Sequence, residues 1–334
     1  MRAKLISAIL KVAIGCLAVL GLAGLVLAGM VAWAPRQPQE LTSISAVRKS
    51  VDFSTLPAIE GFQARDGTFL GFRHYPPLGR ASGQVAVVIH GSSGSSGGSI
   101  HALSVALGKR GVESFAIDVR GHGASGTRGD IGYVGQLEDD LEDFVGIVRE
   151  TSPTAPLTLI GHSSGGGFAL RVAASPIQDL FDQTVLLAPY LGYNAPTNRP
   201  NSGWASADIP RIIALSVLRG VGIHCCEALP TLAFAVPPNS SKTSVPTYTD
   251  RLMRNFANHP DFRADIAGAT RQLTIIAGAD DELMLADKYA EAVGGGPRPV
   301  NVKLIEGINH MGIVSDAAAV STVADYIAAA GLKS

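Results

Sequence analysis

The stretch LTLIGHSSGGGFALRVAA, Leu157 to Ala174, leaves the backbone little choice. An apolar run with strand character exits at Ser163, and Phe168 to Ala174 opens a helix. The chain must therefore turn from strand to helix within a few residues. In so sharp a bend, the residues two before and two after the apex approach closely, and only small side chains relieve the clash. Ser163 has Gly161 and Gly165 at those positions, whereas Ser164 has His162 and Gly166. The spacing predicts Ser163 at the apex of a G-x-S-x-G bend, with the backbone N–H of Ser164 available as an oxyanion donor. A flexible linker or a phosphate-binding glycine loop explains neither the strand before nor the helix after, and no lysine completes a phosphate loop.

A serine hydroxyl needs a base before it becomes a nucleophile. Suitable partners lie downstream. IIAGADDELM offers Asp280 and Asp281 just past one strand, and IEGINHMGIV offers His310 just past another. Carboxyl ends of parallel strands are where open α/β sheets build their sites.

The rest of the chain supplies such a sheet. Val85 to His90 is a continuous apolar run, as expected of a strand buried on both faces. Further strands are predicted over Glu113–Val119, Thr184–Pro189, Leu273–Gly278 and Val302–Gly307, with helices over His101–Lys109, Gln136–Arg149 and Ala317–Ala330. Before them, Asp66-Gly67 marks a hairpin turn. Leu137, Leu141, Phe144, Val145 and Val148 form one helical face, and the acidic run Glu138 to Asp143 is expected mostly on the solvated side. Alternating strands and helices predict an α/β fold with a mostly parallel sheet covered on both faces. Tyr190 to Thr270 breaks the alternation. A structureless loop of that length is improbable in a compact domain, so this interval reads as an inserted cap.

Val12 to Trp33 holds 22 residues without a charge. As a helix it spans roughly 33 Å, enough for a bilayer core. Arg2, Lys4 and Lys11 precede it, which places the N-terminus in the cytoplasm and the remainder outside. The apolar run exceeds that of an ordinary signal peptide, and Pro35 would follow the only small-x-small site, so an uncleaved single-pass anchor is the expectation; cleavage would give a secreted protein. The expected division is 1–34 anchor, 35–58 linker, 59–189 first part of the core, 190–270 cap, and 271–334 second part of the core.

Apolar residues make up 46% of the chain and charged residues 16%, which argues against disorder; a net charge of −1 gives no attraction to nucleic acid. Cys16, Cys225 and Cys226 provide no disulfide framework, and Cys225 and Cys226 are expected as small buried side chains. No metal-ligand spacing occurs, and no metal or cofactor is expected.

VVIHGSSG, DVRGHGASG, GHSSGG, AGADDE and GINHMG occur in this order. With them the chain resembles the α/β-hydrolase superfamily over roughly residues 59 to 334, and within it the monoglyceride-lipase, lysophospholipase and serine-aminopeptidase-like hydrolases. The order Ser, Asp, His is that of these enzymes. The resemblance implies Ser163 as nucleophile and His310 as base. It favours Asp281 over Asp280 as the acid, because the acid falls three residues after the strand's last glycine, here Gly278. It implies the N–H of Ser92, after His90-Gly91, as the second oxyanion donor beside Ser164. The serine-rich Ser93 to Gly98 reads as a flexible loop, His90 as a packing residue, and Asp118, Arg120 and His122 as a structural turn. The implied activity is acyl-ester hydrolysis on a small-molecule substrate such as a monoacylglycerol or lysophospholipid. A serine aminopeptidase-like peptidase or amidase and a catalytically silent binding module are the alternatives, and protein partners are unknown.

Overall fold

The computed structural model describes residues 1–237 and 244–330. Helices α1 (Arg2–Ala32) and α2 (Thr42–Ser50) precede a hairpin of β1 (Glu60–Gln63) and β2 (Phe69–Tyr75). Then follow β3 (Val85–Ile89), α3 (Ile100–Lys109), β4 (Glu113–Ile117), α4 (Gln136–Thr151), β5 (Leu157–His162), α5 (Ser164–Ala173) and β6 (Gln183–Leu187). The interval expected as an insertion carries β7 (Ala205–Ala207), α6 (Ile209–Gly220), β8 (Pro230–Phe234), β9 (Thr247–Thr249), α7 (Asp250–Asn255) and α8 (Phe262–Gly268). The chain closes with β10 (Gln272–Gly278), α9 (Tyr289–Val293), β11 (Asn301–Ile305), α10 (Gly312–Ser315) and α11 (Ala317–Ala330).

Eight strands form one sheet in the order β1-β2-β4-β3-β5-β6-β10-β11. From β4 to β11 every pairing is parallel, while β1–β2 and β2–β4 are antiparallel. Every residue of β3, β5 and β6 is buried, as expected of strands covered on both faces, and β3 is apolar throughout. The predicted stripe of α4 is buried throughout, with Phe144 packed against Phe62 and Phe72. Burying each of its large apolar side chains stabilises the fold by about 1.5–3 kcal/mol.

One acidic residue of α4 departs from expectation. Asp140 is buried rather than solvated, because the Arg120 guanidinium donates two hydrogen bonds to it, at 2.7 and 2.6 Å, and two more to Asp66, at 2.9 and 3.1 Å. Burial pushes the Asp140 carboxyl up, and Arg120 pulls against that shift. The turn containing Arg120 is thereby tied to α4 and to the β1–β2 hairpin.

The insertion builds its own antiparallel sheet, β7-β8-β9. Cys225 and Cys226 lie within it exposed, not buried as expected, on the short turn after α6. Residues 35–58, expected as a linker, contain α2, and Gln37 Nε2 donates to the Val236 carbonyl at 3.2 Å. The last turn of α1 meets α6, where the buried Arg211 donates from Nε to the Val31 carbonyl at 2.9 Å.

Candidate active site

Ser163 stands between the end of β5 and the start of α5 with φ 54° and ψ −119°. That is a conformation a residue with a side chain rarely adopts, and it persists only where its surroundings enforce it. Three backbone hydrogen bonds do so: Ser163 N–H to Leu187 O at 2.9 Å, and Ser163 O from the N–H groups of Gly167 and Tyr190 at 3.0 Å. The flanking glycines are required by contact. A Cβ on Gly161 would lie 2.2 Å from the Gly165 carbonyl oxygen, and one on Gly165 2.3 Å from that of His90. The bend leaves Ser163 at the positive end of α5, whose first amides have no carbonyl partner within the helix.

The downstream loops converge on the same place. A Cβ on Gly278 would lie 2.0 Å from the Ile308 carbonyl oxygen, so the loop after β10 packs directly on the loop after β11. Ala279 and Asp280 donate their amides to Ile305 and Ile308. This register exposes Asp280 and buries Asp281. Asp281 Oδ2 lies 2.8 Å from His310 Nδ1, while its Oδ1 accepts the amides of Leu283 and Met284, each at 2.8 Å. Burial alone would push the Asp281 carboxyl up; the facing His310 ring and the hydrogen bonds it receives outweigh burial and hold it below the ordinary carboxylate value. It is therefore a carboxylate at neutral pH, oriented to fix the imidazole with its Nδ1 proton inward. Ser163 and His310 line one cavity of about 70 Å³, together with Gly91, Ser92, Trp204 and Leu283.

The loop after β3 borders this cavity. Trp204 Nε1 donates to Ser92 Oγ at 2.8 Å. Ser93, at φ 62°, is buried, with its N–H donated to Tyr248 Oη at 2.7 Å and its Oγ to the Val245 carbonyl at 2.7 Å. Ser96 donates its amide to Asp118 at 2.6 Å. Ser93 to Gly98 is thus a stitched loop rather than the flexible one expected from its composition. His90 packs as expected, accepting the Val119 amide on Nε2. His122 packs beneath it and meets the Tyr248 hydroxyl at 2.5 Å. No group of three or more metal-ligating side chains occurs among the described residues.

A family model, serine aminopeptidase S33 (Hydrolase_4), matches residues 80–314, more than half of the chain. The chain belongs to the α/β-hydrolase superfamily. Among its relatives in that superfamily, the monoacylglycerol lipase of Mycolicibacterium smegmatis is 37% identical over 93 residues, covering 27% of this chain and 32% of that protein. The monoglyceride lipase of Rattus norvegicus is 29% identical over 153 residues, covering 46% and 48%. The aligned segments thus span about a third and about half of these relatives. The fold is similar to a soluble variant of monoglyceride lipase from Saccharomyces cerevisiae in complex with a substrate analogue, with TM-score 0.61 and 18% identity, covering 83% of this chain and 95% of that one.

Several residues of this α/β-hydrolase site carry no sequence signal that reasoning along the chain could use. Arg199 donates from Nη2 to the carbonyls of Asp281 and Met284 at 3.2 Å, bracing the loop after β10 from outside. Glu282 accepts the His310 amide at 3.0 Å. Trp204 and Tyr248 reach the site from the insertion, and Ile44 from α2. All act across long sequence separations, where neither spacing nor motif predicts contact.

Proposed function

We propose that this chain is a membrane-anchored serine hydrolase that cleaves carboxylic acyl esters, of the monoacylglycerol or lysophospholipid kind, through an acyl-enzyme. The observation that carries the reading is the 2.8 Å contact between Asp281 and His310 at the wall of a cavity that also contains Ser163. His310 takes the proton of Ser163 as the hydroxyl attacks the ester carbonyl, and Asp281 stabilises the imidazolium that forms. The amides of Ser92 and Ser164 receive the developing oxyanion. His310 returns its proton to the leaving alcohol, and water releases the acyl group by the reverse sequence. The relatives named as monoacylglycerol lipases support an ester as substrate.

The inner cavity has no aspartate or glutamate among its lining residues, so it offers no counter-charge to the free ammonium group a peptidase of the aminopeptidase kind would hold. Lys4–Ala32 is long and apolar enough to cross a membrane and is unburied, which supports the anchor and, with the basic N-terminus, an extracytoplasmic catalytic domain. On this reading, 1–34 anchors, 59–189 and 271–334 form the hydrolase core, and 190–270 caps it.

Labelling with a fluorophosphonate, followed by peptide mapping, tests the nucleophile: the label is expected on Ser163. A panel of acyl esters beside amino-acyl amides tests the substrate class. A folded wild-type protein that takes no label, or that cleaves the amides and none of the esters, sinks the proposal.

A further inference from the structure

The cavity at Ser163, about 70 Å³, is far below the roughly 300–1,000 Å³ that a small-molecule site needs. It has room for the reacting ester group and little else. A second space of about 800 Å³ adjoins it, and the two share Ile44, Ser95, Gly98 and Trp204. One wall of this outer groove comes from the segment between α1 and β1: Leu41, Ile44, Phe53, Leu56 and Ile59. Val236 belongs to the insertion and faces the same space.

The groove is held in shape by polar contacts. Gln37 binds the Val236 carbonyl, and Arg73 binds that of Pro57. Asp118 receives the amides of Ser96 and Ala124. Glu40 is the remaining ionisable side chain of the lining. At the junction, Ile44 is buried, and the Trp204 ring is fixed by its bond to Ser92.

We propose that the outer groove binds the acyl chain of the substrate, and that Ile44 and Trp204 at its inner end set which chains deliver their carbonyl to Ser163. The inference rests on the ester-hydrolase reading and adds a binding site to it, built in part from the juxtamembrane segment rather than the hydrolase core alone. An unbranched hydrocarbon chain suits a largely apolar space that shares walls with the cavity at the reaction centre. Each methylene held there adds to the discrimination between long and short acyl groups.

The test uses the full-length protein and the nitrophenyl esters of acetate, octanoate and laurate. Leu56→Trp fills the outer groove from a residue that does not line the cavity at Ser163. It is expected to lower kcat/KM for laurate by at least about tenfold, with acetate changed less than about twofold. Labelling by a short ethyl fluorophosphonate should proceed at the wild-type rate, reporting an intact site. Should Leu56→Trp lose that labelling, Val236→Trp in the insertion decides with the same expected pattern. Equal losses on laurate and acetate, or no loss on either, with labelling retained, overturn the groove assignment alone. A wild-type protein that hydrolyses none of the three esters overturns the ester reading and this inference with it.

Discussion

The hydroxyl of Tyr248 accepts the backbone N–H of Ser93 at 2.7 Å, joining the insertion to the loop that borders the Ser163 cavity. The same hydroxyl reaches His122 Nε2 at 2.5 Å, so it sits between a donor it receives and an acceptor it serves. Removing it orphans two buried polar groups, each costing about 1–3 kcal/mol. Ser93 neighbours Ser92, whose amide is the proposed oxyanion donor. Tyr248→Phe is therefore expected to lower kcat by about 10–100-fold while KM stays near wild type, since the loss falls on transition-state binding. A parallel weakening of boronate inhibition, measured on the same preparation, checks that the oxyanion loop is what moved. An unchanged kcat would show that the loop keeps its place without the tyrosine.

Ser163→Ala and His310→Ala should each reduce turnover by about 10⁶, and Asp281→Asn by about 10⁴, because the amide leaves the imidazole in the wrong tautomer. Asp280→Asn should leave turnover near wild type, given that Asp280 is exposed and Asp281 holds the ring. Steady-state kinetics on a short ester distinguishes the two carboxylates directly.

The backbone at Ser163 makes a separate prediction about stability. Its φ of 54° with ψ of −119° belongs to a region that costs a residue with a side chain about 1–3 kcal/mol. Ser163→Gly should raise the melting temperature while abolishing activity. Gly161→Ala should do the reverse of stabilising, losing at least about 3 kcal/mol, because its Cβ would lie 2.2 Å from a backbone oxygen that cannot move aside. Denaturant titration of the two variants beside wild type measures both signs.

Four buried histidines, His90, His101, His122 and His162, are lowered chiefly by burial and set the response to acid. Burial, with His310 adding a smaller share, pushes His162 down to about 3. Burial also lowers His90, and burial and the neighbouring His90 ring hold His122 well below the usual 6.5. Below pH 6.5 the unfolded chain binds protons on these rings that the native state refuses, so stability is present above that pH and falls as pH drops toward the folded values. The loss should be visible between about pH 6.5 and 5, before the carboxyls titrate. Lower down, Asp140, Asp250 and Asp265, raised by burial, take up protons in the native state and oppose the trend. Urea midpoints at successive pH values test the sign; a flat profile from pH 7 to about 5 would contradict it.

The sheet and the apex serine could be read from the sequence because both depend on local pattern. A continuous apolar run marked β3, apolar-rich stretches marked β5 and β6, and the pair Gly161 and Gly165 marked the bend. The helix after the bend begins at Ser164, earlier than the apolar residues from Phe168 suggest, since its first turn is serine and glycine held by the strand ends around it. Composition misled elsewhere. Ser93 to Gly98 looks loose, yet its amides are claimed by Tyr248 and Asp118 from distant segments. Asp140 looks solvated, yet Arg120 draws it inward. α2 was hidden because its apolar face is sparse, and its burial at Ile44 depends on the groove it closes.

Two identical hydroxyls stand side by side at this bend, and the backbone makes them unequal. Ser164 lies one residue along, already within the regular geometry of α5. Moving the apex to it would put His162 where Gly161 now sits, driving an imidazole-bearing carbon into a carbonyl oxygen. The neighbouring serine is thus no understudy: reactivity here is a property of an address in the chain, and the address accepts a single occupant.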